Sequence, residues 1–261
     1  MSVAPKPSEI FHRAADEGDR RLGQSMLELV STSFIAGFTI VFGLVALGIA
    51  HSLVKPQWGQ VSQLAGALAF AVGLVFLIVG RAELFNENFF DPVATAFEQG
   101  ELKAGAILRL WGLTFLLNLV GGGLFALVFG VAGVLPKGAA SALATLAEEI
   151  AGRGVWTVLA SAFVGGALVS LLSFMLKGVN SVVGRILMAY LVGFLLAFGP
   201  FDHVIVTVLH VFFGILFDAA VDFGDLFRIM GLVTAGNLVG GVGLVTFSHV
   251  AQAKGASDDD G

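Results

Sequence analysis

Two clusters of charged and polar residues interrupt apolar stretches of this chain where those stretches would lie near the middle of a membrane. The first is Arg81-Ala82-Glu83-Leu84-Phe85-Asn86-Glu87-Asn88 and the second is Gly199-Pro200-Phe201-Asp202-His203. Each is followed by an Asn-Leu-Val-Gly-Gly segment, beginning at Asn118 and at Asn237. Interrupted hydrophobic segments at corresponding positions of two halves point to a transport site at the interface between repeats. Solute passage across a membrane is therefore the chemistry these residues first suggest.

His203 stands out. An imidazole near the bilayer midplane is expensive and marks function in membrane proteins. It titrates near neutral pH, so it can give a proton or a hydrogen bond to a passing anion; the alternative is a structural histidine locked to Asp202 or to a backbone carbonyl. Asp202 either orients His203 or caps the half-helix that follows. His210, on the same helix face, either extends a polar track or is hydrogen-bonded between helices. Glu83 is expected to pin the first break by accepting backbone N–H bonds. Pairing of Glu83 with Arg81 is left open, since residues two apart in a helix do not face each other. Asn118 and Asn237 are expected to hydrogen-bond the irregular backbones. Asp91 reads as the cap of a short helix over 92–98, with Pro92 at its first position, where a missing N–H costs nothing. Helix N-termini there and near Pro200 would present free N–H groups that favour anions. His12, His51 and His249 read as solvated.

Other chemistry is excluded. There is no cysteine, so disulfide and thiolate chemistry are absent. The chain has no metal-ligand spacing, phosphate loop or nucleophile elbow. No cofactor, nucleic-acid partner or enzymatic activity is expected, and Gly121-Gly122-Gly123 lies in a membrane stretch as a packing element.

The elements that position these residues follow from composition. The chain is 57% hydrophobic and 13% charged, with a mean hydropathy of +0.92. Uncharged stretches over roughly 29–50, 56–80, 110–136, 154–176 and 229–248 each suffice to cross about 30 Å of hydrocarbon, and a sixth, about 186–217, is broken at Asp202-His203. Residues 1–26 read as a terminal amphipathic helix starting at a Ser8 cap, 27–250 as the membrane domain, and 251–261 as a disordered tail. A small helix outside the membrane is expected over Ser141 to Glu149. Gly66, Gly73 and Gly80 share nearly one helix face, which lets neighbouring backbones approach closely. The halves align at offsets of about 119 to 129 residues, pairing Asn118 with Asn237, Phe34 with Phe163 and Gly37 with Gly166. Three spans between copies would invert the second, giving an all-α integral membrane protein of six transmembrane helices as a 3+3 inverted repeat with two broken helices. Lys and Arg fall mainly on the terminal side, nine against four, which puts both termini in the cytoplasm.

The run Gly80 to Asn88, around Ala82-Glu83-Leu84-Phe85-Asn86, resembles the signature of the formate/nitrite transporter family. Phe201-Asp202-His203 is similar to that family's Phe-Glu-His. Asn118-Leu119-Val120-Gly121 and Gly236 to Gly241 are similar to its third- and sixth-helix motifs, so the likeness covers roughly 27–250. It implies a homopentamer of aquaporin-like six-helix protomers in the bacterial inner membrane, surrounded by lipid, each protomer passing small monovalent anions. By the same resemblance His203 is the central histidine, and Leu84, Phe85 and Asn86 narrow the pore. Ser170 stands where the family's fourth-helix asparagine is expected, and Thr207 replaces the asparagine four residues past the histidine. Arg81 replaces a glycine, Glu87 a small residue, Pro200 reads as an insertion, and Arg153 is the cation nearest to an expected lysine. The expected mechanism places Leu84, Phe85 and Phe201 as slit walls beside His203, with the anion protonated to cross as a neutral acid. A non-conducting or regulatory protein that kept the fold is the alternative, favoured by charges at Arg81 and Glu87. A neutral-solute channel is less well supported, because the Asn-Pro-Ala pair is absent.

Overall fold

A computed structural model of the chain describes residues 5–258, and within these it is helical throughout. Helix α1 (Pro7–Leu22) starts with Lys6 at its cap, not Ser8, because proline at the first helical position needs no N–H partner. Ser25 caps α2 (Met26–Trp58), its hydroxyl accepting from Glu28 N at 3.2 Å. There follow α3 (Val61–Val79), α4 (Asp91–Gln99), α5 (Ala104–Phe129), α6 (Lys137–Ala151), α7 (Val155–Lys177), α8 (Val182–Phe198) and α9 (Val204–Leu216). Helix α10 (Phe223–Leu238) opens on a capping box between Asp222 and Asp225 and runs through a π-helical stretch, Val239–Thr246, into α11 (Phe247–Asp258). Of the expected tail, α11 takes in the positions up to Asp258, while residues 259–261 lie outside the described residues, as do residues 1–4 at the other end.

Helices α2, α3, α5 and α7 and the continuous rod from α10 to α11 are long and apolar enough to cross a membrane. The chain is thus a multi-pass membrane protein. Helix α9, with 13 residues, rises only about 20 Å, so it stops short of the ~30 Å hydrocarbon core. Helix α6 is longer than the sequence suggested and packs its buried Ala139, Ala142, Leu143 and Ala147 inward against α2 and α9.

At the end of α3, Ala82 N donates to Leu77 O at 3.1 Å and Arg81 N to Ile78 O at 3.3 Å, the two bonds of a Schellman motif. Arg81 occupies its left-handed position, with φ of 54°, where glycine is the usual residue. The chain then extends through Leu84 and makes a 3-10 turn over Phe85–Asn88 before α4.

Close helix approach surrounds both breaks. A Cβ on Gly37 of α2 would fall on the Asn118 carbonyl of α5, and one on Gly166 of α7 would fall on the Asn237 backbone of α10. Backbones at that separation require glycine, and they bring each asparagine within reach of its break. Along α3, Gly73 packs on the backbone of Gly43 in the same manner.

Candidate functional site: two cavities ending at the helix breaks

Non-helical backbone at membrane depth must have its polar groups satisfied by protein, and one asparagine serves each break. Asn118 Nδ2 donates to Ser33 O at 2.8 Å and Glu83 O at 3.0 Å, while its Oδ1 accepts from Phe85 N at 2.9 Å. Asn237 Nδ2 donates to Ala162 O at 2.6 Å and Asp202 O at 2.7 Å, while its Oδ1 accepts from Val204 N at 2.9 Å. Asn237 Oδ1 also accepts from Asn86 Nδ2 at 2.7 Å, so Asn86 ties the first break to the second from a fully buried position.

Two cavities reach these breaks from opposite ends of α3. One, of about 540 Å³, takes in Gln63 and Gly66 near the start of α3 and ends at Phe201, Asp202 and His203. The other, of about 920 Å³, takes in Ile78 and Gly80 at the end of α3, is covered by α1, and ends at Glu83 and Glu87.

His203 caps α9: its Nδ1 accepts from Val206 N at 3.5 Å. The neutral ring inferred from that bond carries its proton on Nε2, which has no hydrogen-bond partner among the described residues. The second half-helix therefore starts at Val204, capped by His203 a few residues past Pro200, whose carbonyl accepts from Ser161 Oγ, which also accepts from Asp202 N at 3.1 Å. Asp202 neither caps the helix nor bonds His203. Its Oδ1 accepts from Arg153 Nη2 at 2.7 Å and from Thr207 Oγ1 at 3.2 Å. Arg153 is thus committed to an ion pair rather than left as a free attractor. His210 also lines this cavity, and its Nε2, expected to bond between helices or extend a polar track, has no hydrogen-bond partner among the described residues. His51, expected to be solvated, lines the same cavity with Nε2 3.4 Å from Ser62 Oγ. No sequence signal short of the pairing of α2 with α3 places it there.

Leu84 and Phe85 are buried in the first break, and Phe85 packs edge-on against Phe89 and Phe115 with ring centroids 4.9 and 5.0 Å apart. Phe201 is half-buried on the His203 cavity wall. Ser170 is buried beside Gly241, its hydroxyl without a partner among the described residues. The structure therefore brings His203, Asp202, Phe201 and Thr207 together at one break, Leu84, Phe85 and Asn86 at the other, and Ser170 near neither cavity mouth.

The α1-side cavity carries most of the charge. Glu83 does not accept backbone N–H bonds at its carboxylate; it takes Arg20 Nη2 at 3.3 Å and Gln24 Nε2 at 3.1 Å, both from the α1 end. Arg21 reaches furthest in, donating through Nη1 to Glu87 O at 3.1 Å and Asn88 Oδ1 at 2.8 Å. Asp91 is the first residue of α4 rather than its cap, because its carboxylate is drawn to Lys177 Nζ at 2.8 Å. Arg81 pairs with no carboxylate among the described residues and is exposed on the cavity wall. In α1, burial raises the Glu17 carboxyl, but the hydrogen bond from Arg20 and the charges of Lys177, Arg21 and Arg20 outweigh it and hold it at about 2. Elsewhere, His249 is also not solvated: its ring lies 3.9 Å from that of Phe174, and its Nδ1 bonds Val245 O at 2.8 Å. His12 pairs with Glu98 at 2.6 Å on the surface.

The sequence model described as Formate/nitrite transporter matches residues 8–251. Inner membrane protein YfdC of Escherichia coli is 23% identical, the alignment covering 94% of this chain and 78% of that protein. Formate channel BtFdhC of Bacillus thuringiensis is 24% identical over 94% of this chain and 95% of its own length. A solved structure described as a pentameric formate channel with formate bound superposes with a TM-score of 0.74 at 18% identity, covering 87% of this chain and 96% of that one. Members of the matched family are channels and transporters, not enzymes. With the family's sequence pattern matched from α1 into α11 and the fold shared, the chain belongs to the formate/nitrite transporter family.

Proposed function

We propose that the protein is a homopentameric channel for small monovalent anions or their weak acids, formate- or nitrite-like, linked to protons through His203. The observation that carries this reading is the unpartnered Nε2 of His203, fixed by its cap to Val206 and facing a cavity that ends at the break. A bare anion leaving that cavity meets the apolar Leu84, Phe85 and Phe201, where desolvation without compensation is costly. A proton from His203 or from water converts it to the neutral acid, which crosses at far lower cost. Asp202, Thr207 and Arg153 hold the break in place beside the ring, and Asn118, Asn237, Glu83 and Asn86 hold the two breaks together.

The six-span architecture is proposed as a 3+3 inverted repeat, with α3 continued by α4 and α8 continued by α9 each as one broken span. Support comes from the matching bonds of Asn118 and Asn237, made to partners at corresponding places in the two halves. Pentameric assembly rests on the likeness to the pentameric formate channel. A bacterial inner membrane is supported by the relative of that description, and a cytoplasmic position of both termini by the bias of Lys and Arg.

Flux of formate through proteoliposomes between about pH 5 and pH 8 tests the histidine role. His203→Ala is expected to flatten the pH dependence; transport unchanged across that range contradicts it. A second reading, a non-conducting protein that kept the fold, is favoured by Arg21, whose guanidinium lies at the inner end of the α1-side cavity, bonded to Glu87 O and Asn88 Oδ1. It predicts no flux in the wild type and flux in Arg21→Ala.

A further inference from the structure

At the inner end of the α1-side cavity one buried carboxyl group, that of Glu87, is left out of the ion pairs its neighbours make. Arg20 lies 2.8 Å from Glu17 and 3.3 Å from Glu83, Arg21 lies 3.6 Å from Glu83 and from Asp91, and Lys177 lies 2.8 Å from Asp91. These three cations are taken up by Glu17, Glu83 and Asp91. Glu87 is a further carboxyl at the same end, 3% exposed, with no ion pair among the described residues and no partner for Oε1. Its backbone carbonyl is clamped by Arg21 Nη1 at 3.1 Å and Ser173 Oγ at 3.0 Å, which fixes the residue on the cavity wall within the 3-10 turn that follows Leu84.

A buried carboxylate with no cation of its own is strongly disfavoured, and a proton removes the uncompensated charge. We propose that Glu87 is the proton-exchange residue of the α1-side mouth, giving its proton to a small carboxylate or similar weak-acid anion entering the constriction and taking one from acid arriving by the opposite route. The anion takes the Oε1 proton and becomes the neutral acid; hydronium in the cavity returns a proton to the carboxylate and leaves water. Arg21 and Lys177 stabilise the transient carboxylate, while Glu83, Asp91 and Glu17 favour its reprotonation. Arg20, Arg81 and Arg185 line the same cavity, as do Arg13, Asp16 and Glu28. Each cavity then ends in one proton-exchanging side chain, His203 at one break and Glu87 at the other. This role rests on the weak-acid pathway proposed above.

Radiolabelled formate uptake by the full-length protein in liposomes, from about pH 5 to pH 8, tests it with Glu87→Gln and Glu87→Asp. Glu87→Gln is expected to lose on the order of tenfold in flux at the upper end, with the deficit narrowing at the lower end where bulk water supplies the acid. Glu87→Asp, which keeps an exchangeable proton, is expected to restore most of the flux. Glu87→Gln equal to wild type at every pH, or an equal loss at every pH in both variants, overturns the role while leaving the pathway standing. A wild type that takes up no formate overturns both.

Discussion

Asn237 makes for the second break the same three hydrogen bonds that Asn118 makes for the first, and accepts one more from Asn86. Both side chains are fully buried, so their loss strands backbone groups that water cannot reach. Each stranded group costs about 1–3 kcal/mol. Asn118→Ala and Asn237→Ala are each expected to lower the unfolding temperature in detergent, Asn237→Ala by more, because the Asn86 amide is stranded with it. Equal shifts would show that the Asn86 link carries no energy.

Arg81 sits in the left-handed position that ends α3. The strain on a non-glycine residue there is about 1–2 kcal/mol. Arg81→Gly is therefore expected to raise the unfolding temperature, while β-branched Arg81→Val lowers it. A lower unfolding temperature in Arg81→Gly would mean the guanidinium contributes more than the backbone loses.

The Arg153–Asp202 pair holds the second break from the connection between α6 and α7. Arg153→Met leaves a buried carboxylate unpaired, expected to cost about 3–5 kcal/mol. Adding Asp202→Leu should recover much of that loss. A double variant no more stable than Arg153→Met would show that the pair is not what holds the break.

Acid should loosen α1. Glu17 is held at about 2 against an ordinary 4.5. A depressed carboxyl contributes stability that is fully present above its unfolded value and is lost as pH falls through that range towards the folded value. Protection factors of α1 amides, corrected for the intrinsic slowing of exchange in acid, are expected to fall between those two values in the wild type, and to lose that step in Glu17→Gln. A step retained in Glu17→Gln would assign it to another group.

These predictions differ in how far the sequence foretold them. The repeated Asn-Leu-Val-Gly-Gly segments and the two interruptions are legible because each is a local pattern, and so are the five uninterrupted spans, whose length and apolarity suffice. The Arg153–Asp202 pair joins residues far apart in sequence, and nothing in either's neighbourhood marks the other. The same holds for Arg21, which reaches the first break from the terminal helix without any local pattern that marks it. His51 was read by its position near a span end, whereas the packing of α2 on α3 turns it into the cavity. Caps shifted by a residue where tertiary charge intervened, as when Lys177 drew the Asp91 carboxylate away from its own helix end.

The most direct test is uptake of formate, nitrite, hydrosulfide, acetate and lactate by proteoliposomes of the wild-type protein at two external pH values. The account predicts uptake of at least one of these, faster at the lower pH, as a proton-linked weak-acid pathway past His203 requires. Uptake of none of them, or uptake that does not change with pH, would contradict it.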